Sequence, residues 1–173
     1  KGLAIGADEA VRIDKEGGSS LDVAQQIAAY AKENSFDIVF FGKETIDYNS
    51  ASIGSMLSAL LDMPFVSLAN KFDCDGNNAT VRREIEGGEE TCEVHLPVVI
   101  SCQKGMAEQR IPNMRGIMAA RSKPLKVLEP IEASATTSIK KFDIPVAKSG
   151  VKLVDPANMD ELVRLLKEEA KVI

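Results

Sequence analysis

Asp37-Ile38-Val39-Phe40-Phe41-Gly42, running into Lys43-Glu44-Thr45-Ile46-Asp47-Tyr48-Asn49-Ser50-Ala51-Ser52-Ile53-Gly54, is the stretch whose pattern decides the fold. Its opening run is too short for a helix and apolar on both faces, as buried parallel strands are. After a polar loop from Lys43 to Asn49, the residues Ile53, Met56, Leu57, Leu60 and Leu61 recur at the i, i+3, i+4, i+7 spacing of a helix. Upstream, Asp8 to Ile13 reads as a short strand. Ser19 with Asp22 three places later gives a helix-start signal before Leu21, Ala24, Ile27, Ala28 and Ala31, which predicts an amphipathic helix over 20–34. Strand, helix, strand, helix, with connections too long for hairpins, argues for a parallel sheet covered by helices.

Downstream the pattern changes. Pro64 to Asp73 favours extended backbone, and Asp75-Gly76 is a hairpin turn signal. Val81, Arg83 and Ile85 alternate with their neighbours, Gly87-Gly88 turns the chain, and Cys92, Val94 and Leu96 alternate again, which predicts an antiparallel meander. Pro97 opens a core strand, Val98-Val99-Ile100-Ser101-Cys102. A loop rich in Met, Arg and Pro is expected from Lys104 to Lys123, then an aperiodic, extended excursion over 129–150. Asn158 as cap, with Glu161 at the third helical position, predicts a last helix carrying Leu162, Leu165 and Leu166 to about Ala170.

The 173 residues, 45% of them hydrophobic, suffice for one main core. With 21 basic against 26 acidic residues and a formal charge of -5, the chain offers no field that would gather a phosphodiester backbone, so nucleic acid is not an expected partner. Cys74, Cys92 and Cys102 lack CxxC spacing, and the single His95 completes no metal cluster, which fits a reducing cytoplasm. No apolar run approaches the roughly 20 residues of a membrane-spanning helix, so membrane insertion is not expected. Lys1 to Asp8 reads as the end of a helix running into a strand, and N-terminal truncation is the expectation.

The loop from Gly42 to Gly54 lies where open parallel sheets bind ligands, between the C-terminal end of a strand and the N-terminus of a helix. Free N–H groups and the positive end of the helix dipole suit a phosphate there, and Ser50 and Ser52 offer hydroxyls. The competing reading is structural: Gly42 turns the chain, Ser50 caps the helix and Gly54 permits close packing. Neither a Walker A sequence nor GxGxxG is present. The charged run from Val81 to Thr91 reads by itself as a solvated hairpin face, and His95 as an exposed residue on the Thr91 and Glu93 side.

Gly42-Lys43-x-x-Ile46-Asp47 with Gly54, Val81-x-Arg83-Glu84-Ile85-Glu86-Gly87-Gly88-x-Glu90-Thr91, Leu96-Pro97-x-Val99, Glu108-x-Arg110, Gly116-Ile117-Met118-x-Ala120 and Lys123-Pro124 occur in that order. Together they resemble the electron transfer flavoprotein beta subunit family over essentially the whole chain. The resemblance implies a Rossmann-like α/β domain of the adenine nucleotide alpha hydrolase kind, with helices on both faces of a parallel sheet. It would occupy residues 1–128, lack its N-terminal strands and carry an antiparallel extension at about 64–96. An arm and helix over 129–173 would pack on a partner. An alpha subunit holding the redox-active FAD is implied as that partner, with acyl-CoA or other dehydrogenases as electron donors and no catalytic residue in this chain. The resemblance further implies that Gly42, Lys43, Ile46, Asp47, Asn49, Ser50, Ser52, Ile53 and Gly54 hold an adenine nucleotide, AMP in ordinary members and a second FAD in bifurcating ones. Glu84 matches a carboxylate that pairs with an arginine of the alpha subunit. Arg110, Met114, Ile117 and Met118 fall in the segment that docks dehydrogenases, with Met114 at the anchor position. The compartment implied is the cytoplasm, or the mitochondrial matrix in a eukaryote.

Two departures refine this. Ala119-Ala120-Arg121-Ser122-Lys123 thins the family's lysine-rich stretch, and Asp47-Tyr48-Asn49-Ser50-Ala51-Ser52 lacks the Asp-Gly-Asp-Thr phrase common where FAD is the second nucleotide, which favours AMP. The contrasting expectation is an adenine-nucleotide-binding regulatory or ATP-using domain of the same architecture. Against it, the sequence has no Ser-Gly-Gly-x-Asp-Ser run and no P-loop Lys-Ser/Thr pair for a γ-phosphate.

Overall fold

Alternation of strand and helix builds the first half of the chain. In the computed structural model, which describes residues 1–133, 137–147 and 150–173, a 3-10 turn at Gly2–Ile5 leads into β1 (Ala10–Ile13), α1 (Ser20–Asn34), β2 (Ile38–Gly42) and α2 (Ile53–Leu61). The meander follows as β3 (Phe65–Asp75), β4 (Asn78–Ile85) and β5 (Gly88–His95), and the chain returns through β6 (Val98–Cys102). Then come α3 (Met114–Ala120), β7 (Leu125–Leu128) and α4 (Met159–Arg164), which continues as a π-helical stretch over Leu165–Ala170. The chain divides into two compact units, Lys1–Ser138 and Ile139–Ile173.

The predicted caps form. Ser19 Oγ accepts from Asp22 N–H at 3.2 Å, and Asn158 Oδ1 from Glu161 N–H at 3.2 Å. Each satisfies a donor that a helix start leaves without an intrahelical partner. In the second unit Arg164 bonds both Glu161 and Glu168, at 2.8 and 3.0 Å, on one helix face.

The strands pair in the order β2-β6-β3-β4-β5, parallel for β2-β6 and β6-β3 and antiparallel for β3-β4 and β4-β5. The α/β class with parallel pairing and an antiparallel extension is therefore present. The extension is continuous with the sheet that carries the loop, and β1 pairs separately, parallel with β7. Val66, Ala69, Val81, Val98 and Ile100 form the core, with Cys92, Val94 and Leu96 packed beside them. β6, central between β2 and β3, keeps Val98, Val99 and Ile100 fully buried.

Some expectations need correction. β2 is an edge strand of its sheet, so Phe40 is 51% exposed and meets Phe72 edge-on at 5.3 Å, where burial on both faces was expected. The two hairpins turn one residue before or after the predicted pairs, at Gly76-Asn77 and Glu86-Gly87. Residues 104–123, expected as loop, contain α3. Its start is set by Asn113, whose Oδ1 accepts from Gly116 N–H at 2.8 Å. The 129–150 excursion, by contrast, carries no helix or strand among its described residues, as expected, and its start is pinned to α1, where the Gln26 amide exchanges two hydrogen bonds of 2.9 Å with the Ile131 backbone. Within that excursion, residues 134–136 and 148–149 lie outside the described residues.

Candidate functional site

The loop between β2 and α2 is held at both ends. Lys43 N–H donates to the Cys102 carbonyl at 3.1 Å, extending the β2-β6 pairing past Gly42. At the other end Met56 N–H donates to Ser52 O, closing the first turn of α2. Between them Asn49 and Ala51 both have φ 50°, in the left-handed region. Asn tolerates that region, but Ala gains nothing from it, and backbone strain of about 1–3 kcal/mol per residue concentrates at ligand-binding segments.

α2 begins without a side-chain cap. Ser52 is the N-cap residue, in place of Ser50, and makes no capping hydrogen bond, whereas α1, α3 and α4 are each capped by a side chain. The first N–H groups of α2 therefore keep their donor capacity at the positive end of the helix dipole. Ser50 Oγ and Ser52 Oγ lie 3.5 Å apart beside them. A Cβ at Gly42 would meet nothing within 4 Å, so no neighbour among the described residues explains the missing side chain. At Gly54 a Cβ would come within 3.0 Å of the Phe65 ring. The packing reading therefore accounts for Gly54 without any ligand.

Gly42, Lys43, Ser50, Ser52, Ile53 and Gly54 line one cavity of about 150 Å³, together with Phe41, Glu44, Thr45, Ala51 and Ser101. Lys43, Ile46 and Asn49 line a second of about 570 Å³ with Glu44, Thr45, Cys102, Gln103 and Lys104. The two share Lys43, Glu44 and Thr45. Asp47 is in neither lining. Its Oδ1 accepts from the Thr45 hydroxyl and from Tyr48 N–H, the latter at 2.8 Å, and these bonds hold its carboxyl below the usual carboxylate range. Asp47 thus shapes the loop. Ile46 and Tyr48 stand out from it, exposed.

Phe41, Glu44, Thr45, Ala51, Ser101, Cys102, Gln103 and Lys104 were not among the predicted site residues. The last four follow from topology, since β6 lies beside β2 and its C-terminal end opens on the same crevice. Burial pushes the Cys102 thiol up, so it stays protonated at neutral pH. Ser101, itself buried, accepts from Leu68 N–H at 3.0 Å and steadies the irregular stretch of β3. Among the described residues no group of His, Cys, Asp and Glu could hold a metal ion, and no helix is long and apolar enough to cross a membrane.

On the β4-β5 hairpin the charges largely cancel in pairs. Arg83 bonds Glu90 at 2.5 Å, and Arg82 approaches Glu89 at 3.6 Å. Glu84, exposed at the end of β4, faces Glu89 across the ladder and accepts from the Gln103 amide, but is in no ion pair among the described residues. Met114, Ile117 and Met118 all lie on α3, with exposures of 74%, 42% and 66%. Arg110 precedes that helix, with its Nη1 3.4 Å from the Ile5 carbonyl.

The mixed sheet, with its parallel β2-β6-β3 pairing and a β2–α2 loop that leaves the helix start without a side-chain cap, defines an α/β domain. The electron transfer flavoprotein domain matches residues 1–133. Over 99% of its length the chain is 35% identical to the electron transfer flavoprotein subunit beta of Bacillus subtilis, covering 72% of that protein. It is 34% identical to the mitochondrial beta subunit of Arabidopsis thaliana, at 99% and 70% coverage, and 31% identical to the human beta subunit, at 98% and 69%. The chain belongs to the electron transfer flavoprotein beta subunit family.

Proposed function

We propose that this chain is the non-catalytic half of an electron carrier: it pairs with an alpha subunit that holds the working FAD, and it keeps an adenine nucleotide, AMP, in the β2–α2 loop. The observation that supports the reading most is the loop itself, with a helix start lacking a side-chain cap, open space over Gly42 and two left-handed residues in one short segment. These features suit a phosphate approached by backbone N–H groups. Gly42, Lys43, Ser50, Ser52 and Ile53 would hold the phosphate side, and Ile46 and Asn49 the larger cavity beside it.

The alpha subunit would hold FAD, which would supply the redox chemistry between a dehydrogenase and a downstream acceptor. This chain binds, orients and docks. Glu84, in no ion pair among the described residues, would meet an arginine of the alpha subunit. Such an exposed pair contributes roughly 0–1 kcal/mol, which suits a flavin domain that must move. Met114 on α3 is the contact for the dehydrogenase.

The pairing is tested by co-expressing the full protein with the flavin-holding subunit of its source and measuring absorbance through gel filtration. A yellow 1:1 complex is expected, and repeated elution of a colourless single chain would overturn the reading.

The role of Asp47 has its own test. Asp47→Ala frees Thr45 and Tyr48 and is expected to weaken nucleotide retention in the purified complex. Because the folded carboxyl titrates below its ordinary value, about 3.9, its contribution is fully present above that value. It is lost as pH falls through the depressed one. Retention measured against pH should therefore persist through the ordinary carboxylate range in the parent, and this acid dependence should vanish in Asp47→Ala.

A further inference from the structure

α3 has only seven residues and buries none of them. Isolated helices shorter than about 12 residues are marginal in water, so something outside the helix must hold it. Three observations identify the holder as the 3-10 turn at Gly2–Ile5. A Cβ at Gly116 would lie 2.2 Å from the Ala4 carbonyl oxygen, so the two backbones touch. Lys123, just past the helix, donates its ammonium to the carbonyls of Leu3 at 3.2 Å and Ala7 at 2.6 Å. Arg110, just before it, reaches the Ile5 carbonyl at 3.4 Å. The two cations thus bracket the helix and fix both of its flanks to one short segment.

The rotation of the helix gives this bracket its consequence. At 3.6 residues per turn, Gly116 points roughly opposite to Met114 and Met118. Seating Gly116 on Ala4 therefore turns both methionines outward, in agreement with their exposure. We propose that Lys123 and Arg110 are positioning residues, which lock α3 to the Gly2–Ile5 turn so that Met114 and Met118 face a dehydrogenase as one prearranged apolar surface. This rests on the reading of Met114 as the dehydrogenase contact. It reassigns Arg110, which the family resemblance counts among the docking residues: its charge, like that of Lys123, is spent on carbonyls of this chain. Prearrangement matters because ordering a segment at the moment of binding subtracts from affinity.

The test uses the full heterodimer with its FAD-holding subunit, varied as the electron acceptor of a reduced dehydrogenase. Lys123→Met is expected to raise KM by about fivefold to tenfold with kcat and flavin content unchanged, the signature of a lost prearranged surface. Lys123→Arg, which keeps the donors, should restore most of it. Amide exchange in Lys123→Met should accelerate across Met114–Ala120 and stay unchanged in β6. A wild-type KM in Lys123→Met, or exchange across Met114–Ala120 no faster than in the parent, overturns the proposal. Should Lys123→Met fail to assemble, Arg110→Gln carries the same two readouts, and a parent-like result in either of them overturns the proposal equally. Met114→Ala separates the levels: a wild-type KM there sinks the docking reading itself, whereas an impaired Met114→Ala beside a normal Lys123→Met sinks only the positioning role.

Discussion

Leu57→Ala is expected to lower the free energy of unfolding by about 2–5 kcal/mol, the range for emptying a fully buried leucine site. Leu57 has no exposed surface and sits on α2, which packs against α1 and β6. Truncation removes the transfer free energy of the side chain and leaves a cavity that a closely packed interior only partly fills. Against a total of about 5–15 kcal/mol for a typical domain, the loss is severe. Urea unfolding followed by circular dichroism would show a lower midpoint with the slope unchanged. The functional effect should follow the same path, because α2 carries the loop at its N-terminus. A loosened helix would hold nucleotide less well even though Leu57 touches no ligand. An unchanged midpoint would mean that α2 does not pack as described.

Met114→Ala is expected to do the opposite, leaving stability nearly intact while slowing electron acceptance. The side chain is 74% exposed, so its truncation should change folding stability by no more than about 0.5 kcal/mol. If the thioether seats in an apolar pocket of the dehydrogenase, its burial there stabilises the encounter by about 1.5–3 kcal/mol. That corresponds to roughly tenfold to a hundredfold in the encounter equilibrium. The flexible Met side chain also repacks easily against pockets of different shape, as the proposed docking of more than one donor would require. The measurement is the dehydrogenase-dependent reduction rate of the complex, with flavin absorbance recorded alongside. Slower reduction at full flavin content is the expected pair, and loss of flavin in step with rate would mean that Met114 supports the flavin site.

Much of this arrangement is written locally in the sequence. Ser19 and Asn158 cap where their spacing says they should, and the apolar periodicity of Ile53 to Leu61 marks α2 residue for residue. These are short-range signals in which one residue satisfies a donor three places on. β7 was not legible, because four residues show no periodicity and its pairing with β1 bridges more than a hundred residues. α3 is not legible because Pro112 before it and Gly116 within it argue against a helix, and Asn113 alone argues for one. Tertiary contact with Ala4 resolves the conflict.

The site divides in the same way. Gly42, Lys43, Ser50, Ser52 and Ile53 were readable as a strand-to-helix loop, and the structure gathers them around one cavity. Ser101 to Lys104 were not, since they join the site only through the pairing of β6 with β2. Asp47 and Gly54 stood in the motif for a reason spacing does not reveal: one bonds its own loop and the other makes room for Phe65.

The central claim, an electron-carrier subunit that keeps an adenine nucleotide beside a flavin-holding partner, is tested most directly by the nucleotides released when the purified full complex is denatured. Chromatography is expected to give one FAD and one AMP for each pair of chains. Two FAD would keep the carrier and change the occupant of the β2–α2 loop. Absence of flavin, with ATP or ADP in its place, would contradict the account and assign the chain to nucleotide-dependent regulation or chemistry.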